Sequence, residues 1–422
     1  MRLYFDTTIY KLLNPDRGSV TEHRSSAESL KGNAVFIFSG AHLKEINKSK
    51  KEFQHGDLDI LTEFAKRNYL CRSQTLQETE GLSLTPFEAI VNLDDEPLQN
   101  QDSNKFSLKY MLSELGIQVG YPDLDASESK DFTNCVSNYI QSEDRFFEKW
   151  VPQLQDFLAK EISGQSYLDK LKNTMSGFEK LDTYMQVHYA FETLDFFNTI
   201  SHQVKQEKIT VGSSDVEHCY FSTYCDYFIT DNKETQVKAF VIFQLLEIPT
   251  KVLSSADFFF TRKDNLLHVE TMQTFTQALE FDFKNNLKKI MTTKDRTAIS
   301  IFKTNRNYFN VFDILEIHES DNGFHTYFLK TKRKKSFTAL VAADIELVIK
   351  NMMQFLGMDD QQRGLYNFGE FTGINSVLRI WTIDTMRIKF AAYRENDVDT
   401  LCIIYYFLTG DSTSDSIEKR AL

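Results

Sequence analysis

Short apolar runs alternate with amphipathic stretches along much of the first 258 residues. The runs fall at residues 3–5, 35–38, 227–229 and 251–253, and residues with helical spacing lie between them, as at 9–13, 57–64 and 237–246. Short apolar strands that alternate with helices are typical of a parallel sheet covered on both faces. The pattern therefore predicts an α/β domain with a parallel-sheet α/β/α core over residues 1–258.

A helical insertion, from about residue 80 to 208, separates the second predicted strand from the third. It begins with an acidic, irregular stretch at 81–129, and two apolar stripes with helical spacing follow at 146–158 and 168–197. We predict two long helices that pack as an antiparallel hairpin on the core. Pro152 kinks or restarts the first helix, and His188 is predicted to be a core histidine on the second.

The pattern changes after about residue 260. Helical spacing at 267–290 gives way to strand patterns at 298–302, 308–317 and 324–329, with an Asp-Asn-Gly turn signal at 321–323. Further strands are predicted at 336–341, 377–383, 386–393 and 400–407, and a helix at 342–356 is predicted to end at Gly357. We expect a separate α+β domain with antiparallel strands over residues 259–422.

Composition narrows the class of protein. The chain has 422 residues and a net charge of −12, which disfavours a protein that coats nucleic acid with its whole surface but permits a local basic patch. Five scattered cysteines suggest free thiols, and His218, Cys219 and Cys225 fit no common zinc spacing. We see no signal peptide and no apolar run of membrane-spanning length, so we expect a cytoplasmic protein without membrane contact.

Four acids fall at equivalent places along the predicted sheet. Asp6 follows the first strand, Glu45 lies on the helix after the second, Asp215 begins the helix before the third, and Asp231 follows the third. Each alone has a structural explanation as a turn, cap or surface residue. Ligands gather at the carboxyl ends of such strands, and clustered carboxylates repel one another unless cations neutralise them. Together the acids predict a Mg²⁺ or Mn²⁺ site suited to phosphodiester hydrolysis by a bound water.

The stretches that carry these acids resemble the PIN-domain nucleases. The matching segments read LYFDTT, SGAHLKEI, DVEHCYFSTYCDYFITDN and IPTKVLSSADF, within roughly the first 65 positions and residues 210–258. The resemblance is to an elaborated bacterial-type member, because the segment between Glu45 and Asp215 is far longer than in compact members of the family. It implies a Mg²⁺- or Mn²⁺-dependent ribonuclease with Asp6, Glu45, Asp215 and Asp231 as metal-binding acids, supported by the Thr7 or Thr230 hydroxyl.

The predicted function is a metal-dependent endoribonuclease, and two alternatives stay open. One is a catalytically inactive PIN-like module that binds a protein partner through the helical insertion or the C-terminal domain. The other is a DNA nuclease, acting on single-stranded DNA at the same site. A basic run is either a nucleic-acid contact or a solvated hairpin end, and it comprises Lys330, Lys332, Arg333, Lys334 and Lys335.

Overall fold

The computed structural model describes residues 1–18, 21–72, 79–91, 126–162, 164–174, 181–202, 214–262, 271–285, 288–292, 298–320, 323–331, 337–367, 370, 376–383, 386–395 and 398–407. They belong to two compact units. The α/β unit comprises residues 3–27 and 36–262, and the antiparallel unit comprises residues 1–2, 28–35 and 263–422. The domain boundary predicted after residue 258 stays a prediction.

A six-stranded, mostly parallel sheet forms the centre of the α/β unit. Its strands are β1 (Arg2–Phe5), β2 (Val35–Ser39), β3 (Asn68–Arg72), β4 (Thr79–Ser83), β5 (Tyr227–Ile229) and β6 (Lys251–Leu253), in the order β4–β3–β2–β1–β5–β6. The β1/β5, β5/β6 and β2/β3 pairs are parallel, and β3/β4 is antiparallel. The predicted α/β class and its four strands are confirmed, with β1 central and fully buried.

Two strands of this sheet, β3 and β4, were missed by the sequence pattern. The β4 sequence TEGLS is polar and half-buried, and the strand lies at the edge of the sheet. An edge strand needs no apolar alternation, because much of its surface faces water. The polar sequence of β4 therefore gives no apolar pattern that would predict a strand.

The described residues form thirteen α-helices. In the α/β unit they are α1 (Thr7–Leu13), α2 (Thr21–Leu30), α3 (Gly40–Lys48), α4 (Lys51–Ala65), α5 (Pro86–Val91), α6 (Ala126–Gln141), α7 (Val151–Ala159), α8 (Tyr167–Thr174), α9 (Thr183–His202), α10 (Ser214–Ser222) and α11 (Lys233–Leu245), although the end of α2 belongs to the other unit. The antiparallel unit adds α12 (Met272–Asn285) and α13 (Thr338–Leu356).

The helical insertion differs from its prediction. A 3₁₀ turn, Phe147–Lys149, precedes α7, and Pro152 lies in the first turn of α7, so the restart is confirmed. The single long helix predicted over 168–197 is wrong, because α8 and α9 are separate and residues 181–182 between them are not helical. The apolar spacing continues across the break between α8 and α9, so the sequence pattern does not reveal the break. Residues 92–125 and 175–180 lie outside the described part of the chain.

Buried polar contacts fasten the insertion to the sheet region. The Asp257 carboxylate, after β6, accepts the backbone N–H groups of Phe147 and Glu148 at 2.8 and 3.2 Å. Lys233, in the first turn of α11, donates its ammonium to the Ser142 carbonyl at 2.5 Å. The insertion is thus held at both the helix that follows β5 and the loop that follows β6.

The antiparallel unit contains a seven-stranded sheet. Its strands are β7 (Lys288–Thr292), β8 (Ala298–Tyr308), β9 (Phe312–Ser320), β10 (Gly323–Leu329), β11 (Ser376–Ile383), β12 (Met386–Glu395) and β13 (Val398–Phe407), in the order β11–β12–β13–β10–β9–β8–β7. Every neighbouring pair is antiparallel, which confirms the predicted arrangement. Gly357 ends α13 at a φ of 83°, as expected.

Two predicted elements of this unit are wrong. The helix predicted over 267–290 ends at Asn285, and Ile290 lies on β7. The strand predicted over 336–341 is instead the start of α13 from Thr338. A short apolar run cannot distinguish a strand from the first turn of a buried helix. Residues 263–270, 321–322 and 332–336 lie outside the described part of the chain.

Candidate metal centre

Three side chains of the α/β unit converge at the carboxyl end of β1. One ligand atom each from Asp6, Glu45 and His218 lies within 4.8 Å of the other two. His218 Nε2 is 3.5 Å from Glu45 Oε1 and 4.0 Å from Asp6 Oδ1. These residues come from the end of β1, from α3 and from α10, so three separate elements build one cluster.

Asp6 is fixed by the chain on both sides of it. Its backbone N–H donates to the Ile229 carbonyl at 2.9 Å, which continues the β1/β5 pairing. The carboxylate then caps α1, since Thr8 N–H donates to Oδ1 at 3.1 Å. The hydroxyl of Thr230, directly after β5, donates to Oδ2 at 2.6 Å. Neighbouring parallel strands thus supply the acid and the hydroxyl that orients it.

Glu45 is half-buried on α3 and faces His218. Burial alone would raise the pKa of this carboxyl. The bond to His218, its positive charge, and hydroxyl bonds from Ser214 and Thr7 outweigh burial and hold the pKa well below its usual range. Glu45 is therefore ionised across the physiological pH range.

His218 is the residue that sequence reasoning missed. It is fully buried, Tyr4 Oη lies 2.9 Å from Nδ1, and Thr7 Oγ1 lies 3.2 Å from Nε2. Burial lowers its pKa, but the Glu45 bond and the charges of Asp6, Glu45 and Asp215 reverse that effect, and the pKa is raised. The sequence did contain a signal, because His218 follows Asp215 by three positions, and residues so spaced share one face of a helix.

A buried polar network supports the cluster from within the core. Tyr4 Oη lies 2.6 Å from Ser39 Oγ, at the end of β2. The Ser39 N–H donates to His42 Nδ1 at 3.0 Å, so His42 Nε2 carries the proton and donates to the Phe5 carbonyl at 2.6 Å. Burial, and then the charge of His218, lowers the pKa of His42 to about 3, so this ring is a neutral support.

Asp215 belongs to the same charged region. It lies in the first turn of α10, and Asn232 Nδ2 donates to its Oδ2 at 3.5 Å. Burial raises its pKa, and the negative charges of Asp6 and Glu45 raise it further. The positive charges of His218 and Lys238 oppose these effects on Asp215 but do not cancel them.

Asp231 is placed differently from the other predicted acids. It is exposed, and its carboxylate accepts the N–H and the hydroxyl of Ser255, both at 2.8 Å. Within the described part of the chain, the compact Asp6–Glu45–His218 group does not include it. The structure thus brings Asp6 and Glu45 together with His218 and holds Asp231 against the loop that follows β6. Asp215 also lies outside this compact group, although the charges of Asp6 and Glu45 act on it.

The donor atoms of the cluster suit a divalent cation. Carboxylate oxygens suit Mg²⁺ and Mn²⁺, whereas an imidazole nitrogen suits later transition metals. Asp6, Glu45 and His218 could hold such an ion. The observation that favours a cation here is that two carboxylates and an imidazole lie within 4.8 Å of one another, because clustered carboxylates repel one another unless a positive charge neutralises them.

The predicted basic run is described at one residue only. Lys330 donates to Asp344 Oδ2 at 2.9 Å, and Arg2 pairs with the same buried carboxylate at 2.9 Å. Lys332, Arg333, Lys334 and Lys335 lie outside the described residues. A nucleic-acid contact by this run stays a prediction.

Comparisons with protein-family models, with curated proteins and with solved structures gave no match to this chain. Among the described helices, none has the length and apolar character needed to cross a membrane. The resemblance of the acidic segments to PIN-domain nucleases therefore stays a prediction.

Proposed function

We propose that the chain is a divalent-metal-dependent nuclease that hydrolyses phosphodiester bonds. The observation that carries the proposal is the convergence of Asp6, Glu45 and His218 within 4.8 Å. RNA as the substrate rests on the resemblance of the acidic segments to PIN-domain nucleases. The ion would be Mn²⁺ or Mg²⁺, held by Asp6, Glu45 and His218.

The roles of the residues follow from their contacts. Thr230 donates to Asp6 Oδ2 and so directs the remaining lone pairs of that carboxylate. Thr7 Oγ1 lies 3.2 Å from His218 Nε2 and also bonds to Glu45, so it links two members of the cluster. A bound divalent cation would supply charge neutralisation at the phosphodiester and activation of water.

A cleavage assay tests the proposal. Purified protein would be incubated with end-labelled single-stranded RNA or DNA in Mn²⁺, in Mg²⁺ or in EDTA. We expect cleavage of RNA with Mn²⁺ or Mg²⁺, no cleavage in EDTA, and loss of activity in Asp6→Asn. Asp59→Asn is a matched control, because Asp59 is an exposed acid on α4.

Two results would count against this function. If the wild type and Asp6→Asn are equally inert on both substrates and bind no Mn²⁺, the enzyme proposal fails. If only DNA is cleaved, the chemistry stands and the RNA assignment is replaced by the DNA alternative.

A second candidate is a catalytically inactive module that binds a protein partner. The observation that favours it is that His218, whose pKa is raised by the neighbouring acids, lies 3.5 Å from Glu45 and 4.0 Å from Asp6. An imidazolium there would neutralise part of the cluster without a metal. Calorimetric titration with Mn²⁺ separates the two candidates, since the inactive module should show no saturable binding that depends on Asp6.

A further inference from the structure

The seven-stranded sheet of the antiparallel unit has two faces that differ in exposure. Residues paired directly across antiparallel strands have their side chains on the same face of the sheet. The strand register therefore assigns each side chain to one of the two faces. One face is buried, with exposures of at most 4% at Phe302, Leu315, Phe328, Phe390 and Trp381. Phe275 of α12 packs there, with its ring centroid 5.7 Å from that of Phe328.

The opposite face, which we call the open face, is mostly half-exposed. It is represented by Lys303, Glu316, His318, Tyr327, Arg387 and Lys389. Most of these are half-buried or exposed, and Lys389 is the buried one among them. Half-exposed isoleucines such as Ile301 lie between the charged positions. A face with this mixture can contact a partner through both apolar and charged groups.

The open face is basic although the chain is acidic. Its named exposed or half-exposed side chains carry two cations, Lys303 and Arg387, against one anion, Glu316, and Lys389 lies buried beneath them, while the whole chain has a net charge of −12. Within the described residues, Arg387 Nε is buried without a hydrogen-bond partner. A buried donor of this kind normally has an acceptor. The Arg387 side chain as a whole is half-exposed, so an anion can approach it from the open face.

Two flat rings, those of Tyr327 and His318, lie on the same face of the sheet as these cations. The Tyr327 and His318 ring centroids are 4.5 Å apart, and His318 Nε2 is 3.2 Å from Glu316 Oε2. Nucleobases stack on exposed aromatic side chains, while cations beside them hold the phosphates. Some recognition modules for single-stranded RNA stack bases on aromatic side chains of a sheet face.

We propose that the open face binds single-stranded nucleic acid, with a base stacked against Tyr327 and a backbone phosphate held by Arg387. Charge complementarity favours this polyanion over a neutral or basic peptide. This binding goes beyond the proposed hydrolysis, because it needs neither a metal nor the acidic cluster.

Fluorescence anisotropy of a labelled oligouridine, in EDTA and over a range of KCl concentrations, tests the proposal. Tyr327→Leu keeps an apolar side chain and removes the aromatic ring. We expect it to weaken binding about fivefold or more without changing the salt dependence. Arg387→Gln should reduce the slope of log K against log salt by about 0.7, the value for one phosphate contact on a single strand. Arg387→Lys should restore that slope.

Matched controls lie outside the open face. Phe281→Leu removes an exposed aromatic ring from α12, and Lys51→Gln removes an exposed cation from α4. Neither should change binding, and circular dichroism should show that all variants are folded.

Several outcomes would overturn the proposal. They are absence of binding in EDTA, equal binding by every variant, and equal weakening by the open-face variants and their controls. Binding that is lost in Asp6→Asn but kept in Tyr327→Leu would assign the nucleic acid to the acidic cluster instead. Cleavage is not read in this assay, so failure of binding and failure of the nuclease proposal are separate results.

Discussion

His218 Nε2 lies 3.5 Å from Glu45 Oε1, so a buried imidazole stands among the carboxylates that would hold a metal. Each group shifts the pKa of the other toward its ionised form. The cluster therefore has a partner for Glu45 in the metal-free protein. A cation must replace that pairing when it binds.

Glu45→Gln should weaken Mn²⁺ binding by about 100-fold or more, since even groups behind the ligands contribute about 10- to 100-fold. Asp231→Asn should have a smaller effect, because the Asp231 carboxylate is engaged by Ser255. Calorimetric titration measures both affinities. A larger loss for Asp231→Asn would show that Asp231 leaves Ser255 and joins the centre.

Thr230→Val should lower Mn²⁺ affinity by about 10- to 100-fold while Asp6 itself is unchanged. The mutation removes the hydroxyl that donates to Asp6 Oδ2 and leaves a buried carboxylate oxygen short of a donor. Thr230→Ser keeps the hydroxyl and should bind nearly as the wild type does. Equal affinity in Thr230→Val and the wild type would show that this bond does not orient Asp6.

His188 should make the protein lose stability as the pH falls. Burial, and then the charges of Arg72 and Lys44, lowers its pKa to about 3. The unfolded chain takes up a proton near pH 6.5, so the stability contribution is complete above that pH and is lost progressively down to about pH 3. At pH 5 the loss from this group is about 2 kcal/mol.

His188→Leu should remove that part of the pH dependence. It should not destabilise the protein at pH 7, because the buried Nε2 has no hydrogen-bond partner among the described residues. Urea unfolding at pH 5 and pH 7 measures the difference. His55→Leu is the control, since the His55 side chain is 80% exposed, and an equal change in both variants would contradict this account.

Asp257→Ala should destabilise the α/β unit by about 3 kcal/mol, because it leaves buried N–H groups of Phe147 and Ser254 without an acceptor. Chemical denaturation measures the loss. Proteolysis should also cut the helical insertion sooner, since Asp257 fastens its 3₁₀ turn. Unchanged stability would mean that water replaces the carboxylate at no cost.

Sequence reasoning succeeded where apolar strands were short and bounded by clear turns. β5 and β6 were predicted to their observed ends, and two of the four predicted acids, Asp6 and Glu45, lie in one cluster. Those predictions worked because parallel strands bring their carboxyl ends to one edge.

The remaining features depended on information that a linear pattern lacks. His218 follows Asp215 by three positions, but its charged partners Glu45 and Asp6 are distant in sequence, so no linear pattern places them beside it. Asp231 has the expected place after β5, but the Ser255 contact depends on the path of a loop. The gap between α8 and α9 interrupts an apolar stripe that reads as continuous.

The chain path has a consequence for dissecting this protein. Residues 1–2 and 28–35 belong to the same compact unit as residues 263–422. Within that unit, Arg2 shares the buried Asp344 carboxylate with Lys330. A fragment of residues 259–422 would therefore lack a cation that neutralises its own interior. A single cut in the polypeptide cannot yield both units intact. To produce the antiparallel unit alone, residues 1–2 and 28–35 would have to be fused to residues 263–422 or supplied as separate peptides.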